Sequence, residues 1–217
     1  MHDLDGWETA NTPQVLMVPG LDNSGPGHWQ SIWQRETSWF DRADMGLWER
    51  PVRNVWVTKL NQAIRQTRAP VILCAHSLGC LAVAWWAALE GQVYGWPVAG
   101  ALLVAPPEVD GPDSDPRLAS FGPAPKIILR FPTVVVASRD DPFASFEQSR
   151  RLAGLWGAEF VDAGEAGHIN AESDLGNWSE GRSLLDALID GHTPPRQPIE
   201  RLARQPHAPS FSEGAHQ

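Results

Sequence analysis

The sequence predicts an α/β fold, a mostly parallel sheet of about six strands with helices on both faces. Three observations carry that expectation. Short apolar runs recur along the chain, and none has the period-2 alternation of a half-exposed strand. Segments with apolar residues at helical spacing lie between them. The 217 residues, 42% hydrophobic and 20% charged, suit one soluble globular domain.

The elements follow in order. Residues 14–18 (QVLMV) read as a buried strand, bounded by Pro13 and by Pro19-Gly20. A Gly-rich loop, GLDNSGPG, follows. Residues 28–39 place Trp29, Ile32 and Trp33 at helical spacing, and 40–42 read as a short second strand. Residues 53–68 put Val57, Leu60 and Ile64 on one helical face, with Ala69-Pro70 as the stop. Residues 71–75 (VILCA) are the strongest strand signal, and 78–90 form an Ala- and Leu-rich helix ended by Gly91. Residues 98–105 and 133–138 are further buried strands. The Pro-, Gly- and Asp-rich stretch 106–132 between them reads as a long loop with little structure. A helix over 143–156, a strand over 159–162, a loop (GEAGHINAESDLGNW) and a helix over 181–190 complete the domain, residues 1–190. Residues 191–217 hold five prolines and three histidines and read as a tail.

Composition excludes several classes of function. A formal net charge of −9, with no basic cluster outside the tail, opposes nucleic acid and anionic membranes as partners. No stretch reaches the length of a membrane span, and the N-terminal residues lack the apolar run of a secretion signal. The two cysteines, Cys74 and Cys80, are too few for a disulfide framework. They read as buried thiols and point to the cytoplasm. GLDNSGPG lacks both the Lys-Ser/Thr of a phosphate loop and the GxGxxG spacing of a dinucleotide site, which argues against a flavodoxin-like nucleotide binder. The seven histidines show no paired metal spacing. No metal and no cofactor are expected. Eleven tryptophans are many for this length and are expected mostly in the core.

The chemistry concentrates at VILCAHSLGCLAVAWW. A buried strand runs through Ala75-His76-Ser77-Leu78-Gly79 into a helix, the context of a nucleophile elbow, with Ala75 in place of the usual first glycine. Such a turn raises the Ser77 hydroxyl above the sheet. It also needs small residues two before and two after the serine, which are expected to approach one another. Read without that context, Ser77 is only a helix cap. A serine hydroxyl needs an adjacent base, and in α/β-hydrolases the partners follow in the order Ser, acid, His. Arg139-Asp140-Asp141-Pro142 follows the strand over 133–138, and Gly167-His168 follows the strand over 159–162. The order Ser77, Asp, His168 is therefore available. Asp140 and Asp141 compete for the acid's place, with Asp162 and Asp174 as weaker alternatives. The backbone N–H groups of Leu21 and Leu78 are the expected oxyanion donors. The Asp22 carboxylate should turn away from that site. His28, Trp29 and His76 are candidates for the cleft, Trp29 with packing of its own helix as the alternative.

These motifs resemble the small α/β-hydrolases related to retinoblastoma-binding protein nine. The matching stretches are VPGLDNSGPGHWQ, AHSLGCLA, LVAPPEVD and the long segment VVVASRDDPFASFEQSRRLAGLWGAEFVDAGEAGHINAESDLGNW. The resemblance covers most of residues 14–190. It implies an α/β-hydrolase fold without a separate lid domain, Ser77 as nucleophile, Asp141 rather than Asp140 as acid, and His168 as base. The expected activity is cleavage of small carboxylic esters, with thioesters or amides as alternatives, through an acyl-enzyme on Ser77. A catalytically idle protein that binds a partner through exposed tryptophans is the rival reading.

Overall fold

Among the described residues six strands form one parallel sheet in the order β2-β1-β3-β4-β5-β6. They are β1 (Gln14–Val18), β2 (Phe40–Arg42), β3 (Val71–His76), β4 (Val98–Val104), β5 (Thr133–Ala137) and β6 (Glu159–Asp162). The helices are α1 (Trp29–Glu36), α2 (Arg53–Gln66), α3 (Leu78–Glu90), α4 (Phe146–Trp156) and α5 (Ser179–Ile189). The computed structural model describes residues 13–67, 70–91, 93, 97–112 and 114–191. Beyond Gly191, the expected tail lies outside the described residues.

The strands explain their own continuous apolarity. Alternate residues of one strand feed two different cores. Leu16, Val18, Leu73, Ala75, Leu103 and Val135 face α2, α3 and α4, together with Trp56, Leu60 and Leu152. Val15, Met17, Ile72, Cys74, Leu102 and Val134 face α1 and α5, together with Trp33, Leu185 and Leu188. A strand buried on both faces has no polar side to show. This is the α/β-hydrolase fold, with no separate lid domain among the described residues.

The strand order reverses direction between β1 and its neighbour β3, since β2 lies on the other side of β1. At such a switch point the loops leaving adjacent strand ends diverge and open a crevice. Val18 pairs with Ala75, so Pro19-Gly20 and His76-Ser77 leave the sheet side by side.

Several boundaries and one long segment differ from the sequence reading. The stretch 106–132 is not unstructured. It contains a 3-10 helix, Pro116–Phe121, and buries Leu118, Phe121, Ala124, Leu129 and Phe131 against the α2–α4 side. Apolar residues scattered among prolines have no period to betray them. Helix α4 begins at Phe146 rather than 143, because Ser145 caps it by accepting from the Gln148 N–H. Helix α1 stops at Glu36, where Thr37 turns extended and leads into β2. The loop GEAGHINAESDLGNW holds a 3-10 turn, Ala171–Ser173, capped by Asn170.

The closest contacts on Gly79 at the elbow come from the end of β1. A Cβ on Gly79 would be driven into the Val18 carbonyl oxygen and lie 2.8 Å from that of Pro19. A Cβ on Gly20 would sit 2.7 Å from the Ser77 Cβ. The end of β1 thus passes against the start of α3 at backbone distance. Replacing Gly79 by Ala should cost at least about 2 kcal/mol, because backbone atoms must move. Urea unfolding of Gly79→Ala would measure this, and an unchanged midpoint would contradict the account.

Candidate active site

Ser77 sits at φ 53° and ψ −126°, a left-handed conformation that a residue with a side chain adopts only at a cost. The Ser77 N–H donates to the Val104 carbonyl at 2.9 Å, and Ser77 precedes the 13-residue α3. The Ser77 hydroxyl lies 2.9 Å from His168 Nε2. His168 Nδ1 lies 2.9 Å from both carboxylate oxygens of Asp141. Asp141 is nearly buried, its side chain 3% exposed, and one of its oxygens also accepts from the Phe143 N–H. The Phe143 and His168 rings pack at a steep angle with their centres 4.6 Å apart. The structure therefore brings Ser77, His168 and Asp141 into one hydrogen-bonded line.

Asp140 points elsewhere and has another job. Its Oδ1 accepts from the Ser138 hydroxyl (2.6 Å) and from the Gly167 N–H (2.8 Å). Those bonds hold its carboxyl below the usual carboxylate range. Ser138 Oγ also accepts from the Ala166 N–H at 2.8 Å. This small network ties the loop before His168 to the end of β5. Asp162 pairs with Arg139 at 2.5 Å, and Asp174 caps the 3-10 turn after His168.

The far side of that loop is tied by two residues the sequence placed in the cleft. His76 Nε2 donates to the His168 carbonyl (2.9 Å), and Trp29 Nε1 donates to the Ile169 carbonyl (2.8 Å). Trp29 is 1% exposed and packs on Trp33 and Trp178. It is not a cleft residue. Its indole completes the core under the site, as a large amphipathic ring does where a polar group lies within reach. His28 and His76 do line the cavity with Ser77 and His168.

That cavity has a volume of about 400 Å³. Leu21, Pro107, Leu118 and Phe143 give it apolar walls, and Asp115, Arg117 and Glu172 stand among its polar residues. The segment between β4 and β5, through Pro107, Asp115, Arg117 and Leu118, therefore forms one wall. Arg117 pairs with Asp115 (2.7 Å) and with Asp22 (3.2 Å), so the Asp22 carboxylate is engaged by a cation. Leu78, the first residue of α3, is fully buried beneath the elbow. The loop between β1 and α1 is braced from below. Gln30 links the Ser24 hydroxyl to the Cys74 carbonyl, and Arg42 donates to Asn23, Ser24 and Ser31. No sequence signal marked Ser138, Gln30, Arg42 or Phe143, since each acts through contacts made only in three dimensions.

Two buried histidines are kept neutral. Desolvation, with Arg42 and His168 nearby, pushes His28 down to about 3. Burial, with His28 and His168 nearby, also lowers His76 well below the usual histidine range. The folded value of His28 lies below the unfolded value of about 6.5. Between these values the unfolded chain binds a proton that the folded chain refuses. Stability is therefore complete above pH 6.5 and is lost as pH falls toward 3. Between pH 7 and pH 5 His28 alone should cost about 2 kcal/mol. Urea unfolding at both pH values checks this, because His28→Asn should lose less stability than the unaltered protein. An equal loss in both would contradict it.

Comparison with known proteins follows the same lines. A family model described as serine hydrolase matches residues 15–187. A protein from Pectobacterium atrosepticum described as a YdeN-like hydrolase is 34% identical, with a TM-score of 0.75 over 88% of this chain and 98% of its own. The ydeN gene product of B. subtilis is 22% identical, with a TM-score of 0.68 over 82% of this chain and 100% of its own. Est1E from Butyrivibrio proteoclasticus shares the fold at 14% identity, with a TM-score of 0.60 over 82% of this chain and 88% of its own. Among curated proteins none matches. With four-fifths of its length matched by that model and an apposed serine and histidine at the sheet's switch point, the chain belongs to the serine hydrolase family.

Proposed function

We propose that the protein hydrolyses small carboxylic esters through an acyl-enzyme on Ser77. The observation that carries this reading is the line from the Ser77 hydroxyl through both nitrogens of His168 to Asp141, with each contact at 2.9 Å. The resemblance to the small hydrolases related to retinoblastoma-binding protein nine supports the same assignment. The two buried free thiols fit a reducing compartment such as the cytoplasm.

In the proposed reaction each residue has one role. His168 Nε2 takes the Ser77 proton as Oγ attacks the ester carbonyl carbon. Asp141 accepts from Nδ1–H, fixes that tautomer and stabilises the imidazolium without taking the proton. The N–H groups of Leu21 and Leu78 hold the tetrahedral oxyanion, and the N-terminus of α3 adds its partial positive charge. His168 then gives the proton to the leaving alkoxide, and the alcohol departs. Water, deprotonated by His168, attacks the acyl-enzyme. The carboxylic acid leaves, and the proton returns to Ser77.

A fluorophosphonate probe tests the nucleophile. The unaltered protein should label, and Ser77→Ala should not. Asp141→Asn should lower kcat by about four orders of magnitude, because the imidazole loses its correct tautomer. A folded protein that never labels would refute the reading. Chain length tests the substrate. A cavity of about 400 Å³ lies at the small end for ligand sites, so 4-nitrophenyl acetate and butyrate should be cleaved with higher kcat/KM than the dodecanoate. The opposite ranking would rule out a preference for short acyl groups.

A further inference from the structure

The geometry points to His28 as a substrate-binding residue, its Nε2–H donating to an acceptor atom of the substrate outside the reacting ester group. This rests on the reading of Ser77 as nucleophile. His28 caps α1, and its Nδ1 accepts from the Gln30 N–H at 3.2 Å. A ring nitrogen that accepts carries no proton, so the neutral imidazole must hold its hydrogen on Nε2. His28 is 4% exposed, and its Nε2 is buried with no hydrogen-bond partner among the described residues. Burial and the nearby Arg42 keep the ring uncharged.

A helix cap does not need this arrangement. Asp would cap α1 with no side-chain donor at all, and Ser with a hydroxyl free to rotate toward a partner. Buried donors in native proteins are almost always satisfied, so an orphan calls for an explanation. Its place supplies one, because His28 lines the same cavity as Ser77 and His168. The ring cannot swing away to find a partner. It is held at Nδ1, packed at 4.6 Å on His76, and followed by Trp29, which is locked to Ile169. In the proposed reaction the carbonyl oxygen already has the Leu21 and Leu78 amides, and the leaving oxygen has His168. The stranded donor is therefore left for a further acceptor, such as an ether, keto or hydroxyl oxygen carried by the acyl or the alcohol part.

Two pairs of esters test this, each differing by one CH2 replaced with oxygen. They are 4-nitrophenyl butyrate against 4-nitrophenyl methoxyacetate, and butyl acetate against 2-methoxyethyl acetate. The first pair probes the acyl side and the second the alcohol side. The variants are His28→Asn, which keeps the capping acceptor, and His28→Phe, which keeps the ring. Thermal unfolding verifies that each is folded. Dividing the unaltered protein's kcat/KM preference within a pair by a variant's cancels intrinsic ester reactivity. In one of the pairs that quotient should favour the oxygen-containing ester by about tenfold, the worth of one hydrogen bond. A quotient near one for both pairs and both variants would overturn the role of His28, while fluorophosphonate labelling of the unaltered protein left the Ser77 reading standing. If the unaltered protein neither labels nor cleaves any of the four esters, both readings fall.

Discussion

The contact on which the site depends is the passage of the end of β1 against the strand-to-helix turn at Ser77. Register brings Val18 beside Ala75, and the next residues must cross at backbone distance. Gly20 and Gly79 make room from either side, since a Cβ at each would meet backbone or the Ser77 side chain. This close packing, with α3 buried along most of its length, holds Ser77 in a conformation it would not adopt alone. The strain raises the hydroxyl over the switch point, where the crevice opens. A looser crossing would let the turn relax and carry Oγ away from His168.

Around that crossing the reactive groups stand on loops, and polar bonds give those loops the rigidity of the sheet. The loop after β1 is stitched by Gln30 to Ser24 and to the Cys74 carbonyl of β3. The loop before His168 is stitched by Asp140 and Ser138 to the end of β5. His76 and Trp29 then join the two sides by donating to successive carbonyls, those of His168 and Ile169. Catalytic geometry tolerates errors of only tenths of an ångström. Two independent anchors on the His168 loop, one on each side, are what such a tolerance requires.

How much of this was legible in the sequence depends on whether a feature is local. The four inner strands, β1, β3, β4 and β5, were readable because burial on both faces leaves an apolar run, whereas the edge strands β2 (FDR) and β6 (EFVD) carry polar residues and stand out less. The 3-10 helix over Pro116–Phe121 was not, because irregular backbone buries Leu118 and Phe121 without any periodicity. Ser77 and His168 could be placed from strand-loop context. The choice between Asp140 and Asp141 could not, because neighbours in a turn diverge by an angle that only the fold sets. In the structure one carboxylate reaches His168 and the other reaches back to Ser138 and Gly167. The choice for Trp29 between the cleft and helix packing was open for a related reason, because only the position of α5 and Trp178 shows that its ring is covered.

The tryptophan-rich composition gains a meaning once the three histidines are seen together. His28, His76 and His168 stand in a row, with ring centres 4.6 and 4.9 Å apart. Among the described residues, His168 alone of the three has a carboxylate on its ring. His76 spends its Nε2–H on a backbone carbonyl, and His28 spends its Nδ1 on a backbone N–H. In the proposed reaction the proton of Ser77 must therefore go to His168, because a charge on either neighbour would be buried without a partner. That discrimination needs dry surroundings, since water would solvate any of the three imidazoliums almost equally. Trp29, Trp33 and Trp178 supply the dryness on the α1 and α5 side, and their own N–H or backbone groups close the loops that carry the histidines. The same packing that stabilises the fold thus directs where a proton can rest.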